Sequence, residues 1–169
     1  MKPLLLAVAV LALAAPAWGQ TPPPTTAPAA AAPAPPYGAP IGLETAQALI
    51  DRATTAASAR GFRMAFAIVE PSGALVAFGR MDDTQYGSIA VAQAKARSAA
   101  LYRTATSVSE ERLTGGRTAL LALDGMVPVA GGVPIVVDGR IIGAIGVSGA
   151  SSAQDDEIAR AAITAVLGG

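Results

Sequence analysis

The chain has 169 residues, and its 12 basic and 12 acidic side chains leave it without a formal net charge. It contains no Cys and no His, which excludes disulfides, thiolate chemistry and every Ser–His or Cys–His nucleophile pair. The balanced charge, with no basic stripe along the sequence, also argues against a nucleic-acid partner.

The first 40 residues predict export rather than folded structure. Residues 1–19 combine Lys2, a short apolar run and a small-residue end, which is typical of a secretory signal peptide, with an uncleaved anchor as the alternative. Residues 20–40 are uncharged and rich in Pro and Ala, which predicts a disordered linker, either a tether or a leader without a specific partner. We therefore expect a periplasmic or secreted protein with no membrane span after signal cleavage, and one domain at residues 41–169.

The first part of the predicted domain is a helix followed by a hairpin. Residues 43–60 should form the helix, ended by Gly61, because apolar side chains recur three and four positions apart. Residues 64–70 and 74–81 are predicted strands, and the Pro-Ser-Gly turn at residues 71–73 should pair them antiparallel. The expected apolar face of the helix consists of Leu43, Ala46, Ile50, Ala53 and Ala57.

The middle of the domain is predicted to be mainly helical. Residues 88–103 form an alanine-rich helix, a composition that favours helix formation and close packing. Its cations Lys95, Arg97 and Arg103 either all lie in solvent, or one of them faces the rim of a pocket. The Ser-Val-Ser-Glu sequence at residues 107–110 has the spacing of a capping box and predicts a second, short helix.

The next segment contains the most specific local signal of the chain. Residues 118–123 are a predicted helical turn and residues 126–132 an irregular loop. Residues 133–148 follow as two β-branched runs around Asp138-Gly139, which predicts a hairpin with a tight two-residue turn. Three glycines indicate that either a neighbouring helix or a ligand packs against the second of these strands. They are Gly143, Gly146 and Gly149.

The last helix is predicted at residues 152–167, with Ser152 as its N-cap. The carboxylates at residues 155–157 are explained by the helix dipole, and a metal-binding role is the less favoured alternative. Two hairpins and several helices in this order predict an α+β domain with one antiparallel sheet of four or five strands and helices packed on it.

Two further positions are candidates for ligand contact. Arg80 and Asp82 follow the second strand, where binding loops often begin, although they are equally explained as a surface ion pair. The pair Gly131-Gly132 offers bare backbone N–H groups that suit an anion, or it simply allows the chain to turn.

Several motifs along residues 41–169, taken together, resemble the GlcG/HbpS family. They are RMD at residues 80–82, Ser88, the alanine-rich segment around Lys95 at residues 92–100, GGVPI at 131–135, DG at 138–139, IGAIGVSG at 142–149, and Gln154-Asp155. The resemblance implies a profilin-like fold of α-β-α layers with a five-stranded antiparallel sheet, and it implies homo-oligomers. The family includes exported haem-binding proteins, one type of which partners a sensor kinase, and members from glycolate-use operons without a settled role.

The resemblance implies haem as a possible cofactor, but His ligation in related domains has no counterpart in this chain. An axial ligand would have to be Tyr86, Tyr102, Met81, Met126, Lys95 or water. The cations that suit the propionates are Lys95, Arg80 and Arg103.

The sequence thus predicts an exported small-molecule-binding protein, with haem or another tetrapyrrole as the first candidate ligand and small organic anions as the second. The pocket would lie between residues 80–86, 88–103 and 130–134. The alternatives are a small-molecule enzyme with Lys95 or Asp82 as the acid–base group, and an assembly protein whose alanine-rich helices pack against its own copies. The predicted ligand-binding residues are Arg80, Met81, Asp82, Tyr86, Lys95, Tyr102, Gly131, Gly132 and Pro134, and no catalytic or metal-binding residue is predicted.

Overall fold

The computed structural model describes residues 33–168, so the predicted signal peptide and the linker up to residue 32 lie outside the described residues. Each predicted helix and strand is confirmed, with ends that shift by one or two residues. In chain order the elements are α1 (Leu43–Ala59), β1 (Ala65–Val69), β2 (Leu75–Arg80), α2 (Gly87–Tyr102), α3 (Thr106–Thr114), a 3-10 helix (Thr118–Ala122), β3 (Gly132–Val137), β4 (Arg140–Ser148) and α4 (Ser152–Leu167). None of the helices in this range is both long and apolar enough to cross a membrane.

The strands form one antiparallel sheet in the order β2-β1-β4-β3. Helices α1 and α4 pack on one face of this sheet and α2 packs on the other, which confirms the α+β class. The expectation of five strands is wrong, because residues 33–168 contain four. A segment before α1 approaches β4 but makes only the single parallel bridge Tyr37–Ile141. Pro36 and Pro40 lack the N–H group that a longer ladder would need there.

The residues just before α1 are nevertheless fixed to the domain. The N–H of Ile141 donates to the carbonyl of Pro36 at 2.9 Å, and the N–H of Gly38 donates to the carbonyl of Ile141 at 2.8 Å. The Tyr37 hydroxyl lies 3.0 Å from the carbonyl oxygen of Ala100 at the end of α2. The final residues of the predicted linker therefore contact β4 and α2.

Both predicted hairpins are present, with the expected turns. Asp138 and Gly139 both have positive φ, at 49° and 71°, as a type I′ turn between β3 and β4 requires. The turn between β1 and β2 places Gly73 at a φ of 84°. These turns fix the register of the four strands.

The two faces of the sheet are packed differently. The face toward α1 and α4 carries the large side chains of the main core, including Phe66 and Ile145. The predicted apolar face of α1 is wrong at Leu43, which is exposed, because the buried stripe includes Leu49 instead. The face toward α2 is lined almost wholly by alanines: Ala65, Ala67, Ala144 and, from the helix itself, Ala92, Ala96, Ala99 and Ala100.

A helix, not a ligand, explains the glycines of β4. A Cβ added at Gly146 would meet the carbonyl oxygen of Ala92 and would lie 2.5 Å from the nitrogen of Ala96. At Gly143 the corresponding atom would meet the carbonyl oxygen of Val69 on β1. The glycines therefore allow the backbones of α2 and β1 to approach β4 closely.

The N-cap of α4 is Ser151, whereas the sequence analysis predicted Ser152. The Ser151 hydroxyl accepts the N–H of Gln154, and the Gln154 side chain accepts the N–H of Ser151, which completes a capping box. Only the earlier serine has a Gln three residues later, as this motif requires. The Ser152 hydroxyl instead donates to Glu110 at 3.1 Å.

The capping box predicted at residues 107–110 is also wrong. Helix α3 begins at Thr106, one residue earlier, and its N-cap, Ala105, offers no side-chain acceptor. The Glu110 carboxylate accepts the N–H of Ala130 at 3.0 Å as well as the hydroxyl of Ser152. Glu110 therefore bonds to residues that are distant in the sequence and not to the start of its own helix.

Candidate ligand-binding groove

Helix α2 leaves one strand of its sheet face uncovered. It packs against β1, β3 and β4, whereas β2 lies at the edge of the sheet. Arg80 and Phe78 pair with Ala65 and Ala67 of β1, whose side chains face α2. Because paired residues share a face, Arg80 and Phe78 also point toward the α2 side, where Phe78 remains 36% exposed.

We call the space between this face of β2 and the flank of α2 the α2–β2 groove. At one end lies a cleft of about 510 Å³, lined by Arg80, Asp82, Asp83, Thr84, Gln85 and Tyr86. At the other end lies a cleft of about 260 Å³, lined by Val69, Gly73, Ala74, Leu75, Gln93, Ala94 and Arg97. This flank of α2 is formed at helical spacing by residues 90, 94, 97 and 101, together with the N-cap residue 86. The larger cleft is lined by polar side chains and the smaller one partly by Val69, Leu75 and two alanines, and each cleft contains one arginine.

The larger cleft brings together three of the predicted binding residues, Arg80, Asp82 and Tyr86. The guanidinium carbon of Arg80 lies 5.6 Å from the centroid of the Tyr86 ring, within the range of a cation–π contact. Tyr86 is 81% exposed. The alternative of an Arg80–Asp82 surface ion pair is wrong, since no such pair occurs within 4.0 Å in the described part of the chain.

The loop after β2 holds the cleft in shape. The buried Thr84 hydroxyl donates to the carbonyl of Met64 at 3.1 Å, and Asp83 has a positive φ of 62°. Met81 points away from Tyr86, because it packs against the main core and lines a separate cleft of about 400 Å³ with Ser58 and Arg63. Asp82 and Asp83 border both clefts.

Lys95 lies neither in solvent nor at a pocket rim, so both predictions for it are wrong. It is 1% exposed, and its Nζ donates to Asp155 Oδ2 at 2.7 Å and to the carbonyl of Val147 at 3.1 Å. Asp155 is equally buried and also accepts the N–H of Ala150 at 3.0 Å. This ion pair joins α2 to the start of α4, which removes the basis for an enzyme with Lys95 as the acid–base group.

The electrostatics of this pair follow from its burial. Loss of solvent raises the pKa of the Asp155 carboxyl above its ordinary value of 3.8. Hydrogen bonds from Lys95 and from the N–H of Ala150 oppose this rise without cancelling it. The Lys95 cation therefore stabilises the buried Asp155 carboxylate, and the pair lies in the interior of the protein rather than at a ligand site.

Gly131 and Gly132 pack around the same pair and do not form an anion site with both N–H groups. The N–H of Gly132 already donates to the Thr106 hydroxyl at 2.8 Å. A Cβ on Gly131, whose φ is 117°, would lie 2.9 Å from Lys95 Nζ and 2.7 Å from the Cβ of Asp155. Close packing therefore explains these glycines.

The structure also separates Tyr102 and Pro134 from the α2–β2 groove. The Tyr102 hydroxyl donates to the carbonyl of Asp124 at 2.6 Å. Pro134 lines a different cleft of about 310 Å³, together with Arg160 and Ile163 of α4. Of the nine predicted residues, Arg80, Asp82 and Tyr86 therefore meet in one cleft.

Sequence reasoning missed Leu75 and Phe78, which it predicts only as strand residues. Arg97 is one of the three α2 cations for which a pocket rim is an alternative, and it does line the smaller cleft. The available signal was the placement of Phe78 two residues before Arg80, which puts both side chains on one face of the strand. No group of three or more acidic, Cys or His side chains suitable for a metal ion occurs within residues 33–168.

These features define a class of protein: a three-layer α+β domain with an open, arginine-flanked groove at one sheet edge. Residues 41–164 match the family model described as "Haem degrading protein HbpS-like", and the chain belongs to this family. It is 41% identical to the Protein GlcG of Escherichia coli strain K12 over 108 residues, which are 64% of this chain and 81% of that protein.

Solved structures agree with this assignment. The crystal structure of HbpS is similar with a TM-score of 0.72 and 32% identity, over 78% of this chain and 93% of HbpS. The crystal structure of a PduOC:Heme complex is similar with a TM-score of 0.70 and 29% identity, over 76% of this chain and 96% of PduOC. The predicted GlcG/HbpS resemblance is confirmed.

Proposed function

We propose that this protein binds haem or a related tetrapyrrole in the α2–β2 groove. The observation that carries the proposal is the cleft in which the Tyr86 phenol and the Arg80 guanidinium lie side by side, neither of them hydrogen-bonded within residues 33–168. The family description and the haem complex of the similar protein PduOC support a tetrapyrrole over other small molecules.

The residues of the groove fit the chemical parts of haem. A haem site needs a donor for the iron, a cation for the propionates and apolar walls for the macrocycle. Tyr86 supplies an oxygen donor in the larger cleft, and Arg97 and Leu75 supply a cation and apolar surface in the smaller one. The partly exposed Phe78 lies on the same side of β2. The carboxylates of Asp82 and Asp83 disfavour propionates beside them, so we place the propionates away from that loop.

The proposal extends to where the protein acts. The predicted signal peptide supports binding in the periplasm or outside the cell. Self-association and a sensor-kinase partner stay predictions of the family resemblance. The assembly alternative is less favoured, because the alanines of α2 that it would use are already buried against the protein's own sheet.

Titration of a chain beginning at residue 20 with ferric haemin tests the proposal. We expect a saturable Soret shift with a fixed stoichiometry. Arg97→Gln, in the cleft away from the Asp82–Asp83 loop, should weaken binding about tenfold, the order of one charge-assisted contact with a propionate. Arg52→Gln, at an exposed position of α1, is the matched control and should bind like the unchanged chain. A linear, non-saturating response of the unchanged chain would refute haem binding.

A further inference from the structure

We infer that the iron ligand in this groove is the phenolate oxygen of Tyr86. This inference rests on the proposed function and adds to it the atom that holds the metal. The chain has neither His nor Cys, so the remaining strong donors are tyrosine, methionine and lysine side chains.

The other tyrosines are already engaged. The Tyr102 hydroxyl donates to the carbonyl of Asp124 at 2.6 Å, and the Tyr37 hydroxyl lies 3.0 and 3.1 Å from the carbonyls of Ala100 and Leu101. Coordination by either residue would break these hydrogen bonds. Tyr86 makes no hydrogen bond through its hydroxyl among the described residues, and it lines the larger cleft directly.

Methionine and lysine donors are less suitable for reasons of position. Met64 is fully buried, Met81 packs against the main core, and the sulfur of Met126 lies 3.7 Å from the Ser98 hydroxyl. Lys95 is 1% exposed and its Nζ is bonded to Asp155 and to the carbonyl of Val147, so it does not reach the groove.

Tyr86 has a cation and the start of a helix beside it, and it shares its cleft with Asp82 and Asp83. The Arg80 guanidinium lies over its ring, and Tyr86 is itself the N-cap of α2, where the helix dipole favours negative charge. When the phenol coordinates ferric iron, the O–H bond breaks, the proton passes to solvent and an Fe–O bond forms. The iron stays ferric, so the step needs neither an oxidant nor a reductant.

Spectroscopy of the haemin-loaded chain tests the assignment. In the unchanged protein we expect a phenolate-to-iron charge-transfer band and tyrosinate vibrations in the resonance Raman spectrum. Tyr86→Phe should abolish both and weaken haemin binding at least tenfold. Tyr102→Phe is the matched control and should keep both signals. Because Tyr86 is 81% exposed, its variant should retain the far-UV circular dichroism of the folded domain.

The outcomes separate this inference from the proposed function. If the unchanged chain binds haemin and Tyr86→Phe gives the same spectrum, the ligand assignment is wrong while haem binding stands. If the tyrosinate signals are lost in Tyr102→Phe or Asp82→Asn instead, the assignment is likewise overturned. If the unchanged chain does not bind haemin, both proposals fail.

Discussion

Replacing Lys95 by methionine should lower the free energy of unfolding by about 3–5 kcal/mol at pH 7. Methionine fills nearly the same volume, so the cost comes from charge rather than from a cavity. The Asp155 carboxylate would remain buried with its bond from the N–H of Ala150 but without the ammonium that now lies 2.7 Å away. The carbonyl of Val147 would also lose a donor at 3.1 Å.

A double-mutant cycle separates the interaction energy between Lys95 and Asp155 from the cost of losing each side chain alone. Asp155→Asn alone leaves the Lys95 ammonium buried and should also destabilise strongly. The combination of Lys95→Met with Asp155→Asn removes both charges and keeps an oxygen for the N–H of Ala150. It should therefore be less destabilised than the sum of the single changes, by roughly 2 kcal/mol or more. Arg160→Met, which breaks the half-exposed pair with Asp156, is the control and should cost below about 1 kcal/mol.

Urea unfolding followed by far-UV circular dichroism is the suitable assay. The sole tryptophan is Trp18, within the predicted signal peptide, so tryptophan fluorescence cannot report on the domain. Additive free energies in the cycle, or a Lys95→Met variant as stable as the unchanged chain, would show that the pair does not carry the stated energy.

The pH dependence of the same variants gives a second test with a definite sign. Burial raises the folded-state pKa of Asp155 above 3.8, so the folded state binds this proton more readily than the unfolded state. Its contribution to stability is fully present below that value and is lost as the pH rises through the folded-state pKa. Without Lys95 the pKa of Asp155 rises further. The Lys95→Met variant should therefore regain stability on acidification from pH 7 to pH 5, relative to the unchanged chain.

Other perturbations probe the packing and the ends of the elements. Gly146→Ala should destabilise the domain by about 1–3 kcal/mol in urea, because its Cβ would meet the backbone of α2, whereas Gly87→Ala has open space and should not. Ser151→Ala should cost about 1 kcal/mol by removing the cap of α4, and Ser58→Ala on exposed α1 surface is its control. A chain beginning at residue 42 should be less stable by about 2 kcal/mol than one beginning at residue 33, since it loses three backbone hydrogen bonds to β4 and the buried Ile41; equal urea midpoints would contradict this.

Local signals predicted the elements well because their causes are local. The Asp138-Gly139 turn needs two positive φ values, which depend on those two residues alone. Lys95 shows the opposite case. Its partner, Asp155, is 60 residues away, and nothing in the alanine-rich helix reveals that a carboxylate will face it. The helix dipole by itself explains an acidic residue at position 155, so the sequence gives no sign of a partner 60 residues away.

The groove itself follows from how a helix covers a sheet. Neighbouring strands are about 4.8 Å apart, so β2 lies about 10 Å from β4, with β1 between them. Gly146 and the alanines of α2 seat the helix over β4, and a helix with short side chains has a radius of only about 5 Å. It cannot reach across to β2, and Phe78 and Arg80 stay uncovered. Gly146, one of the glycines that first suggested a ligand at β4, thus lets α2 lie over β4, and this position leaves the surface of β2 open two strands away.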